Sequence, residues 1–155
     1  IPGGDYIAFL EQYTGRKYPK GAFVDLQGNR LGTHQGMIRY TIGQRKGLGL
    51  ALQTPHYVCE KRAEKNEIVL GENQDLMRQT LTAHRLNWIA RAGLPEPVRL
   101  QAKIRYRHAA AWAMVQQTES DTLQVTFEEP QRAITPGQAV VLYDGDTVVG
   151  GGIIA

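Results

Sequence analysis

The 155-residue sequence has a single cysteine, no long apolar run and no sustained helical periodicity. Because Cys59 stands alone, neither an intrachain disulfide nor a cysteine-based metal cluster can form, which fits a reducing compartment. Its context, "YVCEKR", offers no glycine elbow or helix start to lower a thiol pKa, so it reads as a packed structural cysteine. The four histidines, His34, His56, His84 and His108, are scattered without ligand spacing, and no metal site is expected. Neither a serine elbow nor a zincin pattern occurs, so no catalytic residue is assigned. Apolar stretches such as "AVVLY" are too short to span a bilayer, and no charged-then-apolar leader opens the chain. A cytoplasmic protein without a membrane partner is the expectation. The chain opens on Ile1 rather than Met, so it is read as processed or as a piece of something longer.

What is present is an ordinary globular composition, 42% hydrophobic and 21% charged, enough for one domain or two small ones. A net charge of +3 admits a polyanionic partner without requiring one. Near the start, Ile7, Leu10 and Tyr13 recur at spacings of three between Asp5, a candidate N-cap, and Gly15, which predicts one short helix. Beyond it the signals turn to strands: two around "QGN", one in "GMIRYTIG", and two joined at "AEKNE". From about Leu76, six further strands are predicted in "TAHRLNWI", "VRLQAKIRYR", "AWAMVQQ", "LQVTFEE", "QAVVLYDGD" and "TVVGGGIIA". Leu123, Val125 and Phe127 alternate with polar residues, and Asp-Gly in "YDGDT" signals a hairpin. Together these predict a mainly β protein, a small β-rich domain followed by a roughly six-stranded antiparallel barrel.

Two stretches carry candidate binding chemistry. In "YTIGQRKGLGL", a phosphate cradle would need a helix after the glycines, and "LALQTPHYV" has no cap and soon meets Pro55. Gly43, Gly47 and Gly49 then serve turns with positive φ, and Arg45 and Lys46 are either simply solvated or contact RNA. In "KIRYR", strand alternation puts Lys103, Arg105 and Arg107 on one face and Ile104 and Tyr106 on the other. That basic stripe is a track for phosphates or an ordinary solvated face.

The blocks "HQGMIRYTIGQRKGLG", "KIRYR" and "TPGQAVV…GGGII" resemble the non-catalytic part of bacterial tRNA-specific 2-thiouridylases, and the resemblance runs over essentially the whole chain. It implies segments 1–15, a loop tail of a catalytic domain with the short helix; 16–77, a central β-rich domain; and 78–155, a barrel like the second domain of elongation factors. It implies an enzyme that uses ATP to adenylate the C2 oxygen of a wobble uridine and a cysteine persulfide to replace that oxygen with sulfur. The "SGGxDS" ATP loop and both catalytic cysteines are missing from these 155 residues, so the fragment alone is expected to be inactive and to hold no cofactor. The resemblance assigns tRNA contacts to Arg105, Tyr106 and Gln138; for Tyr106 this opposes the core position that alternation gives. Lys103, Arg107, Arg45 and Lys46 extend the set. The implied partners are tRNA and a sulfur-donating carrier protein or cysteine desulfurase, with a monomer as default. The rival readings are a stand-alone RNA-binding or translation-factor-like barrel, and a docking module for a sulfur carrier.

Overall fold

The computed structural model describes residues 18–105 and 109–155. The predicted helix around Ile7 to Tyr13, and the positions of Tyr106 and Arg107, lie outside the described residues. Among the described residues, ten strands fall into two compact units divided between Leu76 and Met77.

In the first unit, β1 (Gly21–Val24), β2 (Arg30–His34), β3 (Tyr57–Arg62) and β4 (Glu67–Gly71) form a sheet in the order β2-β1-β4-β3. β1 runs parallel to β4, and the other pairs are antiparallel. Asp25 shapes the β1–β2 turn, its Oδ1 accepting the N–H groups of Gln27 and Asn29 at 2.9 and 2.8 Å. The sheet is too small to bury a face alone. Residues 35–56, which connect β2 to β3, supply the cover: Tyr40 and Leu48 join Phe23, Val58, Ile68 and Leu70 in one buried cluster. Each such side chain contributes about 1.5–3 kcal/mol when fully buried.

His34 is buried in the same unit with both ring nitrogens used. Nδ1 accepts the Gly36 N–H (3.1 Å), so the proton sits on Nε2, which donates to the Asn66 carbonyl (2.8 Å). Its ring meets those of Phe23 and Tyr40 edge to face.

The strand predicted in "GMIRYTIG" is not formed. Residues Met37–Arg39 make a 3-10 turn, entered through Gly36 at φ 125° and closed by Arg39 N–H to the Gly36 carbonyl (3.1 Å). The apolar residues of this stretch, Met37, Tyr40 and Ile42, roof the sheet instead of pairing with it.

In the second unit, β5 (Met77–Trp88), β6 (Val98–Lys103), β7 (Ala111–Glu119), β8 (Thr122–Arg132), β9 (Ala139–Asp144) and β10 (Thr147–Ile154) close into a barrel in the order β10-β5-β8-β7-β6-β9. Every neighbouring pair is antiparallel. Leu123, Val125 and Phe127 point inward as the alternation requires, and Ala83, Ala102 and Ala113 keep the lumen narrow enough to fill with side chains. Closure demands close backbone approach at Gly151, where a Cβ would collide with the Val140 carbonyl. The β9–β10 hairpin turns at Gly145 (φ 61°), between the paired residues Asp144 and Thr147.

The strand predicted through "KIRYR" ends early. β6 stops at Lys103; Ile104 is buried, and at the bend that follows Arg105 reaches across to a carbonyl in the β8–β9 connection. A side-chain hydrogen bond to another segment replaces the next rung of the ladder.

Candidate nucleic-acid interface

Strand order determines which cations meet. β6 and β8 end, and β7 and β9 begin, at the same end of the barrel, bringing Lys103, Arg105, Arg132 and Gln138 to that end. Arg78 joins them because Met77 and Arg78 pair with Arg132 and Gln131. The opposite end carries Glu96, Glu119, Asp121, Asp144 and Asp146 against Arg85 and Arg91. Glu129 on β8 also lies near the first end, but cations outnumber carboxylates there, so the barrel is polarised and a polyanion favours that end over the other.

Arg105 is half-buried, and its Nη2 donates to the Ala133 carbonyl at 2.8 Å. Thr135 Oγ1 donates to the same oxygen at 2.8 Å. Ala133 is itself in the left-handed region, φ 56°, a conformation that costs a non-glycine residue energy and persists because these neighbours hold it. The next turn, Thr135 to Gln138, closes through Gln138 N–H to the Thr135 carbonyl (3.2 Å) with Gly137 at φ 89°. Gln138 emerges from it exposed, beside the segment that Arg105 clamps. Arg105 thus both shapes this corner and leaves further guanidinium N–H groups for a ligand.

Arg99 on β6 is paired with Glu128 (Nε–Oε1 2.6 Å, Nη2–Oε2 3.2 Å) and lies 3.9 Å over the ring of exposed Trp112. The hydrogen bond to Arg99 holds the Glu128 carboxyl below its usual pKa. This ion pair is internally satisfied. At the acidic end, Asp121 accepts the N–H groups of Leu86 (2.8 Å) and Arg85 (3.0 Å), which lowers its pKa and stabilises the positive φ of Arg85, 54°.

In the first unit, Arg45 and Lys46 lie at the tip of the glycine-rich segment, both exposed. Gly43, Gly47 and Gly49 all have positive φ (90°, 79° and 72°), as their sequence pattern requires. The Gln44 side chain pins the tip, its Oε1 accepting Thr41 N–H (3.0 Å) and its Nε2 donating to the Lys46 carbonyl (2.9 Å). Gly43 and Gln44 also pair with Val58 on the edge strand β3. From β3, Lys61 Nζ donates to the Tyr40 carbonyl (2.8 Å), and burial pushes its ammonium pKa down. No helix follows the loop, so it does not fit the phosphates of ATP, and no ATP-dependent step is assigned to these residues.

Cys59 is half-buried on β3, its Sγ 3.4 Å from the Tyr57 carbonyl. No helix among the described residues is long and apolar enough to cross a membrane. The sequence pattern missed Arg78 and Arg132, because only the strand register brings them beside Arg105.

Two family models match in tandem: a tRNA methyl transferase PRC-barrel domain over residues 7–72 and an aminomethyltransferase beta-barrel domain over residues 78–154. The chain is 50% identical to the tRNA-specific 2-thiouridylase MnmA of Koribacter versatilis, and the match covers 99% of this chain and 43% of that protein. Identity to the enzyme of the same name from Acetivibrio thermocellus is 51%, covering 99% and 43%. For the Desulfitobacterium hafniense protein it is 49%, covering 99% and 44%. The chain thus spans less than half the length of these relatives.

Proposed function

Since the chain belongs, along 99% of its own length, to the tRNA-specific 2-thiouridylase family, we propose that it is the tRNA-binding portion of such an enzyme. The observation that carries this reading is the convergence of Lys103, Arg105, Arg132 and Gln138 at one polarised end of the barrel. In the proposed arrangement, Arg105 and Lys103 meet backbone phosphates while Gln138 donates or accepts from a fixed turn. Phosphate contacts of this kind set register and orientation without reading sequence. Tyr106 and Arg107, which follow Arg105 directly in the chain, are proposed as tRNA contacts as well. Arg45 and Lys46 form a second contact.

The chemistry lies elsewhere. With one cysteine, held on a strand, and no ATP loop, this chain orients the wobble uridine for residues of the parent enzyme that adenylate its C2 oxygen and deliver sulfur. ATP is the parent's cofactor in this reading, and a sulfur-donating carrier protein or desulfurase is its second partner. The chain alone does not thiolate tRNA.

The test is tRNA binding as a function of salt. Arg105→Ala should weaken binding about tenfold, ~1.4 kcal/mol, and reduce the slope of log K against log salt by about 0.9 for each phosphate that is no longer neutralised. The double variant Arg99→Ala/Glu128→Ala, which removes the ion pair without leaving a lone carboxylate, should leave the slope unchanged. Unchanged affinity and slope in folded Arg105→Ala would refute the interface.

A further inference from the structure

The glycine-rich segment has a feature that its two cations do not explain. Between it and the stretch leading to β3 runs a groove of about 320 Å³, lined by Leu48, Leu50, Leu52 and Pro55 together with Arg45 and His56. That volume lies at the small end of ligand-sized pockets, about 300–1,000 Å³. No carboxylate lines it.

Three details suit it to a nucleotide. At Gly49 nothing lies within 4 Å of where a Cβ would stand, and at Gly47 only the Gln44 amide nitrogen does, at 3.6 Å. These glycines are thus required by their positive φ rather than by crowding, and they leave open space beside the backbone for a ligand. His56 Nδ1 lies 2.8 Å from the Thr54 carbonyl, which can only accept, so Nδ1 is the donor in that bond and Nε2 is left for a ligand. The Gln44 bonds fix the tip that carries Arg45 and Lys46, so little ordering entropy is lost on binding.

We propose that this groove seats one unpaired nucleotide of the bound RNA, with its base or sugar against Leu48, Leu50, Leu52 and Pro55 and its phosphate on Arg45 and Lys46. The proposal rests on the RNA-binding reading above and adds a position in the first unit that takes a nucleotide out of its stack. Single-stranded segments are where protein surfaces engage unstacked bases, and a slot with apolar walls and a cationic rim matches that chemistry.

The experiment uses the 155-residue chain, amide NMR and three probes: uridine 5′-monophosphate, uridine and inorganic phosphate. The mononucleotide should shift the Gly47 and Gly49 amides at a concentration where phosphate or uridine alone shifts them far less. Thr54→Glu places a carboxylate at an exposed rim position without touching the core; it should abolish those shifts and weaken tRNA binding about fivefold, with Arg45→Ala acting in the same direction. Arg105→Ala should weaken tRNA binding yet leave the mononucleotide shifts intact. If tRNA binds and responds to Arg105→Ala but not to Thr54→Glu or Arg45→Ala, the groove proposal fails and the barrel interface stands. If the wild-type chain binds no tRNA, both fail.

Discussion

In the barrel, Lys103, Arg105 and Gln138 sit where strands stop, outside a core that strand residues fill almost alone; in the smaller unit, Arg45 and Lys46 ride on a segment whose neighbours Tyr40 and Leu48 are themselves core. The first arrangement keeps the proposed binding residues out of the hydrophobic core, even where Arg105 also shapes a corner. In the second, one connection both roofs a sheet and presents cations, so a change made for either purpose disturbs the other.

The largest effect should come from the barrel interior. Phe127→Ala removes a fully buried ring and should cost about 3–5 kcal/mol, read from the denaturant midpoint and from faster amide exchange in β7 and β8. Next, Leu48→Ala should cost about 2–3 kcal/mol and also weaken RNA binding. Gln138→Ala, its barrel counterpart, should lower affinity and leave the midpoint where it was. If Leu48→Ala proved equally silent in stability, the contrast between the units would break.

Gly47→Ala is a finer probe. With space for a methyl group but φ at 79°, it should cost about 1 kcal/mol from backbone strain alone, and its RNA affinity should fall because the tip is re-aimed. The smallest effect concerns acid. Because the folded pKa of Asp121 is depressed by the Leu86 and Arg85 amides, its stabilisation is present above the ordinary aspartate pKa and is lost as pH falls through the folded value. Asp121→Asn should therefore narrow the difference in melting temperature between pH 6 and pH 3, measured by circular dichroism. An undiminished difference would mean that the carboxylate does not hold the positive-φ backbone at Arg85.

Where one face of a strand is buried, the sequence was legible: Leu123, Val125 and Phe127 occupy the inner face their alternation assigns. The three loop glycines were legible too, because positive φ is what glycine is for. The Met37–Arg39 turn was not, since Met37, Tyr40 and Ile42 as a short apolar run look the same whether they pair in a sheet or roof one. Nor was the early end of β6, which depends on Arg105 finding a carbonyl nearly thirty positions away (|i−j| = 28). Ala133 gave no signal at all, because alanine is not the residue expected at φ 56°. Arg78 and Arg132 entered the candidate site only through a register that a bulge shifts between Arg78 and Thr80.

The Arg99–Trp112 stack has a practical corollary. The chain has two tryptophans: Trp88, half-buried against the barrel core, and Trp112, on the outer wall beneath a guanidinium. Their indoles therefore report on different events. Emission and collisional quenching of Trp112 should change whenever something displaces Arg99, while Trp88 should respond only when the barrel opens, so a Trp88→Phe variant would turn the protein into its own label-free optical sensor of contact at that wall.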